Sequence, residues 1–379
     1  MSNQNDPLPV MSEPHSILRP TLLISATLLT LIILKLGNAV AGPLLFFIFL
    51  AILVVPLFDA LKRRGLSAGL SLVIMLVGIT AVFVGLAWLV LSSFSQMLEA
   101  LSQYNLDFQA NTQGIIQSLE SIQIDPAVVE SINQTLFGYL GGVVRSVLAS
   151  SVALIAGGIM ALIALAFIML ESDSFSQRLH RGLGDGNDLL LRMELFQKSL
   201  LSYVVARVKL NFFTAMGVFI MLIIFRVDYA LLWSVLAFFL SFIPYIGLIV
   251  AMIPAILLGT AESGVMTGVL LAIGYFIINQ VIEQVIEPRV VGKEMTLSPT
   301  LTLFSVIFWT WVLGGMGAML AGPLAALMIL VFGSFDDTRW IAILFSSDNS
   351  PLVTGIFESP DGETAEATSD SSASDYQES

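Results

Sequence analysis

The feature that most restricts this chain is a series of apolar stretches too long and too poor in charge for the interior of a water-soluble domain. No Asp, Glu, Lys or Arg falls within 67–95, 146–170, 210–225, 229–261, 264–282 or 295–335. A helix of ~20 apolar residues, rising about 1.5 Å per residue, crosses the ~30 Å hydrocarbon of a bilayer. Composition agrees, since 56% of residues are hydrophobic and 12% charged, against an apolar share of roughly 45–50% in soluble domains. The expected fold class is all-α, a polytopic membrane protein of about eight transmembrane helices, because backbone polar groups in lipid must be satisfied within the segment.

The same sequence removes several chemistries. Without cysteine there is neither a disulfide nor a thiolate metal site. His15 and His180 lie outside the apolar runs, which argues against a histidine metal or proton site within the membrane. The turn Gly182-Leu183-Gly184-Asp185-Gly186 is not a nucleotide loop, because no strand precedes it and no Gly-Lys-Ser/Thr follows. Gly-x-Ser-Gly, His-Glu-x-x-His and paired Asp motifs are also missing. The chain therefore reads as a non-enzyme with no cofactor, metal or nucleic-acid partner.

Charge placement orders the segments. Residues 1–16 are polar and proline-containing and read as a disordered cytosolic arm. Membrane helices fill 17–94, with spans over Pro20–Leu36, Pro43–Phe58 and Ser67–Phe94. Arg19, the apolar run behind it and Ala39-Val40-Ala41 imitate a cleavable signal peptide, but the second run starting at Pro43 points to a helical hairpin instead. Lys62-Arg63-Arg64 beside a span end fixes that loop as cytosolic. Residues 95–145 are then extracytoplasmic. Leu98 and Leu101, Ile115 and Leu119, and Val128 and Ile132 recur at helical spacing, predicting amphipathic helices broken near Asp125-Pro126 that cap the bundle or form an oligomer contact. The membrane core occupies 146–335, with spans over Val147–Leu170 and Asn211–Phe225 and a helix over Leu189–Leu201 lying along the membrane surface or against the bundle. Beyond it, 336–379 hold ten acids and only Arg339 as a base, an acidic, mostly disordered cytosolic tail.

Two runs are too long for one straight crossing and carry helix breakers. Tyr229–Leu258 is interrupted at Pro244-Tyr245-Ile246-Gly247 and again at Pro254; Thr300–Phe332 contains Gly314, Gly317 and Pro323. Each is a bent span or a re-entrant hairpin of two half-helices. Hairpins leave every Lys and Arg except Lys35, Arg145 and Arg226 on the cytosolic side, which the positive-inside rule favours. Gly247 with Pro254 and Gly317 with Pro323 also suggest an inverted duplication, whose binding site would lie at the repeat interface.

Between the two runs, Gly264–Ile286 forms a span that breaks at Pro288. Asn279, Glu283 and Glu287 are spaced i, i+4, i+8 and share one helix face, bordered by Gln280. A carboxylate at membrane depth costs on the order of 2.5–3.5 kcal/mol on the insertion scale and marks an ion or substrate pathway. Glu283, the deeper, is the proton or cation candidate; Glu287 touches water or pairs with Arg289. Phe308, Trp309 and Trp311 read as packing or interfacial anchors.

These residues carry a resemblance. Pro244-Tyr245-Ile246-Gly247 with Pro254-Ala255, Gln280-x-x-Glu283-x-x-x-Glu287-Pro288 with Gly292-Lys293, Leu297-Ser298-Pro299, and Phe308-Trp309-x-Trp311 leading to Gly314, Gly317, Ala321 and Pro323-Leu324 resemble the autoinducer-2 exporter family (AI-2E) of bacterial membrane proteins. The likeness runs over about residues 20–335 and is most specific over 240–325. It implies roughly eight membrane helices, homo-oligomers, and export of a small polar signal or, in some members, sodium or proton antiport. Leu248, where many members have a second proline, and Gly322 before Pro323 depart from the pattern in the region where substrate would be recognised.

The expected function is secondary export of a small polar solute by alternating access, with H+ or Na+ as possible co-partners, from a bacterial plasma membrane with both termini cytosolic. A cation/proton antiporter and a non-transporting scaffold acting through 95–145 are the alternatives. The expected pathway comprises Pro244, Tyr245, Gly247, Pro254, Asn279, Gln280, Glu283, Glu287, Pro288, Arg289, Gly314, Gly317 and Pro323.

Overall fold

The computed structural model describes residues 25, 28–120, 126–184, 188–291, 298–333, 338 and 340, and among them every extended element is a helix. Expectations for the arm, most of the tail and the link holding Gly292 and Lys293 fall outside these residues. In chain order the helices are α1 (28–36), α2 (Asn38–Arg63), α3 (Ala68–Glu120), α4 (Pro126–Ala149), α5 (Ser151–Leu183), α6 (Asp188–Ile224), α7 (Ala230–Leu240), α8 (Gly247–Ser263), α9 (Val265–Val281), a π turn (Ile282–Ile286), α10 (Glu287–Val291), α11 (Pro299–Leu313) and α12 (Gly315–Gly333). Stretches 38–63, 68–110, 200–224 and 265–290 are long and apolar enough to cross a bilayer, and α4, α5, α7, α8, α11 and α12 carry shorter apolar segments. This is an all-α polytopic membrane fold.

Three expectations about continuity change. The turn predicted between the first two spans is not a hairpin: Gly37 keeps a near-helical backbone, φ −93° and ψ 17°, with its N–H donating to the Ile33 carbonyl (2.8 Å) and its carbonyl accepting from Ala41 N–H (2.8 Å), so α2 runs on from α1 with a bend rather than a reversal. The helix of the third span does not stop at Phe94 but continues as α3 to Glu120, about 80 Å at ~1.5 Å per residue, far beyond what a ~30 Å hydrocarbon layer holds. Its extension pairs with α4, which begins at Pro126 as the Asp125-Pro126 break predicts, and Phe108 meets Phe137 edge-on at 5.3 Å. The helix predicted over Leu189–Leu201 and the span from Asn211 are one 37-residue helix, α6. No proline or glycine separates them, so nothing interrupts the hydrogen-bond ladder.

Both long broken runs are hairpins. In the first, α7 and α8 pack side by side and α8 lies against α3. The turn between them has a direct cause. Pro244 lacks an N–H and disfavours helix at Ile243, Tyr245 takes a left-handed φ of 64°, and Ile246 N–H closes onto the Pro244 carbonyl at 2.8 Å. Gly247 then lies against the Leu240 carbonyl, where a Cβ would overlap it. Buried Trp233, Ala237, Ala251, Ala255 and Ala261 join Phe94 and Met97 of α3 in the largest apolar cluster. Small residues on α8 permit this close approach of helices.

The second hairpin repeats the device. Gly314 has φ 68° and ψ −150°, essentially closed to residues with a Cβ, and a Cβ on Gly317 would overlap the Trp309 carbonyl. Ser305 Oγ donates to the Ala321 carbonyl across the hairpin at 2.7 Å. Val312, Leu313, Leu320 and Leu324 pack against Leu31, Leu34, Ala41 and Leu45 of α1 and α2. Lys35 Nζ sits 3.3 Å from the Trp311 ring centroid, a cation–π contact that makes Trp311 an anchor.

Candidate functional site

One cavity gathers polar residues from three places. On α6, Arg207, Asn211 and Thr214 fall at i, i+4 and i+7, one face of a helix that packs against α9, the π turn and α10. Facing them, Asn279, Glu283 and Glu287 line the α9–α10 rod, and the first hairpin's turn supplies Ser241, Ile243, Pro244, Tyr245 and Leu248. The cavity is partly open, with a volume of about 190 Å³.

Pro288 explains the local shape of the acidic wall. It does not break the helix, as expected from sequence; the backbone passes it by widening into a π turn, with Glu287 N–H bonding to the Ile282 carbonyl five residues back. A proline at this point cannot donate to residue 284 and its ring crowds that carbonyl, so the wider turn relieves both problems. Glu283 lies inside the π turn and Glu287 at its exit.

The cavity wall is only partly satisfied by the protein. Thr214 Oγ1 donates to the Leu210 carbonyl at 3.0 Å, and Arg207 Nε donates to Tyr203 Oη at 3.4 Å. Asn211 is only 3% exposed, yet its Nδ2 has no acceptor; Ser241 Oγ is also without a partner. Arg207 feels Glu287 and Tyr245 but forms no ion pair with either glutamate among the described residues.

Of the pathway expected from sequence, Pro244, Tyr245, Asn279, Glu283 and Glu287 line this cavity. Gly247 is buried beside it and closes the hairpin, whereas Gln280, Pro288 and Arg289 are exposed on the same rod outside the lining. Pro254 lies within α8, and Gly314, Gly317 and Pro323 belong to the second hairpin, which contributes no lining residue. That hairpin reaches the site indirectly, since Gly322 abuts the Tyr203 hydroxyl so closely that a Cβ would overlap it. Sequence reasoning missed Arg207, Asn211, Thr214 and Ser241. Their signal is a polar stripe on an otherwise apolar helix, but by charge alone Arg207 belongs with the cytosolic bases.

A second polar cluster joins α3, the α6–α7 turn and the end of α8. Tyr104 Oη donates to Asp228 Oδ2 at 2.7 Å, and Asp228 N–H donates to both carboxylate oxygens of Glu262 at 3.1 and 3.3 Å. Glu262 lies between the charge-free runs 229–261 and 264–282, and burial pushes its carboxyl up to about 7.

Comparison with known proteins places this architecture. A profile of the AI-2E family transporter matches residues 23–335. A Haemophilus influenzae relative, described provisionally as a transport protein, is 28% identical over 86% of this chain and 95% of its own. The AI-2 transport protein TqsA of Escherichia coli is 24% identical, covering 81% and 89%. The sodium-lithium/proton antiporter of Halobacillus andaensis is 27% identical, covering 62% and 69%. With a polytopic helical fold and a family match across nearly all of its apolar length, this chain belongs to the AI-2E transporter family.

Proposed function

We propose that this member is a secondary transporter exporting a small polar solute, similar in size and polarity to autoinducer-2, by alternating access and without ATP. The observation that supports this reading is the cavity, a polar space at the tip of a broken hairpin with Asn211 and Ser241 left unpartnered on its wall. Interrupted backbone survives at membrane depth where it lines such a space. The relative named as an AI-2 transport protein agrees with it.

Sidedness follows from charge. With Lys62-Arg63-Arg64 cytosolic in a bacterial inner membrane, the Arg226–Tyr229 turn and Gly264 face outward and the C-terminal tail inward. The eleven residues of α7 then descend about 16 Å, bringing the 241–246 turn to mid-depth between α6 and α9. Glu287 lies on the cytosolic side of the cavity. Outward access requires the α7–α8 tip to move relative to α6 and α9, and the protein works as a homo-oligomer.

Glu283 and Glu287 in the lining favour a second reading, cation/proton antiport, which the relative named as an antiporter also supports. Flux in proteoliposomes under imposed H+ and Na+ gradients separates the two. Loss of gradient-driven flux in Glu283→Gln with retained solute exchange supports coupled solute export; cation flux with no solute flux supports antiport. Absence of every flux rejects both.

A further inference from the structure

The charged groups of the cavity are sorted by wall, with Asn279 beside the acidic pair as an amide that can donate or accept. On the α6 and turn side stand hydrogen-bond donors: the Arg207 guanidinium, the Asn211 Nδ2 amide and the Ser241 hydroxyl. The opposite wall carries the carboxylates of Glu283 and Glu287, which only accept when ionised. Buried donors are nearly always paired in folded proteins, yet Asn211 Nδ2 and Ser241 Oγ are not. The opposite charges also remain apart, although Arg207 and Glu287 are near enough to influence one another.

A site that holds positive and negative walls apart, with donors unsatisfied on the positive side, is preorganised for a ligand that is itself a dipole. Resting on the reading of this cavity as the transport site, we propose that its ligand is a small zwitterion, an α-amino acid of glycine to threonine size. Its carboxylate meets Arg207, Asn211 and Ser241, and its ammonium meets Glu283 and Glu287. A bidentate-capable guanidinium beside an amide donor suits a carboxylate.

Competing ligand classes satisfy only part of the wall. A neutral polyol can accept from Asn211 and Ser241, but it leaves the guanidinium and both carboxylates uncompensated once water is expelled. A bare monovalent cation satisfies the carboxylates and leaves Asn211 Nδ2 and Ser241 Oγ unpaired. Size permits a small zwitterion, because about 190 Å³ is many times the roughly 10–15 Å³ needed to seat one water. One guanidinium faces two carboxylates, so a bound zwitterion leaves one negative charge for a proton or monovalent cation, which gives coupling a place in the same cavity.

The test is ligand binding to the purified full chain in nanodiscs, followed by flux in vesicles. Glycine, alanine, serine and threonine are titrated beside serinamide, which lacks the carboxylate, glycerate, which lacks the ammonium, and erythritol. At least one amino acid is expected to bind, with serine at least tenfold tighter than serinamide and glycerate. Asn211→Asp, which puts an acceptor where a donor is needed, should weaken amino-acid binding at least tenfold, with the melting temperature recorded as a folding control. No binding by any of the four, or serinamide, glycerate or erythritol binding within threefold of serine, overturns the proposal. Erythritol binding with erythritol flux would remove the zwitterion and leave transport standing; amino-acid binding without any flux would do the reverse.

Discussion

Alanine at Gly317 is expected to force the second hairpin open, at a cost separable from that of its glycine neighbours. At Gly315 a Cβ meets nothing within 4 Å, so Gly315→Ala should gain the helix preference of alanine, roughly 0.5–1 kcal/mol. At Gly314 the φ of 68° and ψ of −150° put a side chain in a closed region, costing about 1–3 kcal/mol. At Gly317 the new methyl overlaps the Trp309 carbonyl and comes within 2.9 Å of Leu313 Cβ. Overpacking costs typically 1–3 kcal/mol, and a backbone neighbour that cannot rotate away puts this case at the top of that range. Gly317→Ala and Gly315→Ala should therefore differ by about 3 kcal/mol or more. At ~2 °C per kcal/mol, the low end suited to a long chain, the melting temperatures separate by about 6 °C. Trp309 and Trp311 lie in this hairpin, so with Trp88, Trp233 and Trp340 replaced by Phe, tryptophan fluorescence during a thermal ramp in one detergent reports it. If Gly317→Ala melts within a degree of Gly315→Ala, the hairpin does not close over Gly317 and the equivalence of the two hairpins fails with it. Gly247→Ala, against the Leu240 carbonyl, should fall by a similar amount.

Three further outcomes follow from particular contacts. Gly322→Ala should lower the melting temperature and Tyr203→Phe, by removing the overlapped hydroxyl, should recover part of the loss; a double-mutant cycle with no coupling removes this contact, for which about 0.5–3 kcal/mol is expected between touching residues. Glu262 is held up at about 7 from an ordinary 4.5 by burial, so the stability it contributes is complete below pH ~4.5 and lost as pH rises through ~7. The melting temperature of the wild type should thus fall between pH 5 and 8 by an amount absent from Glu262→Gln, and identical profiles for the two proteins would contradict the buried setting of this carboxyl. Pro288→Ala restores the N–H that can close on the residue 284 carbonyl, removing the cause of the π turn. Thermal stability should then rise, while amino-acid binding weakens as Glu283 is re-aimed; unchanged binding would show that the π turn does not set the acidic wall.

The reasons some features were legible in the sequence and others were not are physical. Pro244, Gly247, Gly314 and Gly317 announced the hairpins because a missing N–H and a missing Cβ act locally, whatever surrounds them. Asn279, Glu283 and Glu287 announced the acidic wall because a fixed spacing on one helix becomes a fixed face. Arg207, Asn211 and Thr214 satisfy the same spacing, but their meaning depends on α6 being one unbroken helix, which carries Arg207 away from the surface. Ser241 gave no signal at all: its importance comes from the turn lying against α6. The π turn was hidden because a proline in a helical pattern predicts a break as readily as a bulge, and packing of α10 against α6 decides between them.

The two hairpins share a backbone device and differ in what they touch, which assigns them different work. The first places its turn in the cavity wall, so its movement changes the cavity directly. The second packs on α1 and α2 and lines nothing, yet Gly322 of α12 abuts the hydroxyl of Tyr203, and that hydroxyl accepts from Arg207. With no Cβ at residue 322 there is no slack to absorb displacement, since interiors are close-packed and transmit small shifts. A movement of α12 toward α6 would therefore press on Tyr203, and turning Tyr203 would remove the hydrogen bond that, among the described residues, steadies the guanidinium on the cavity wall.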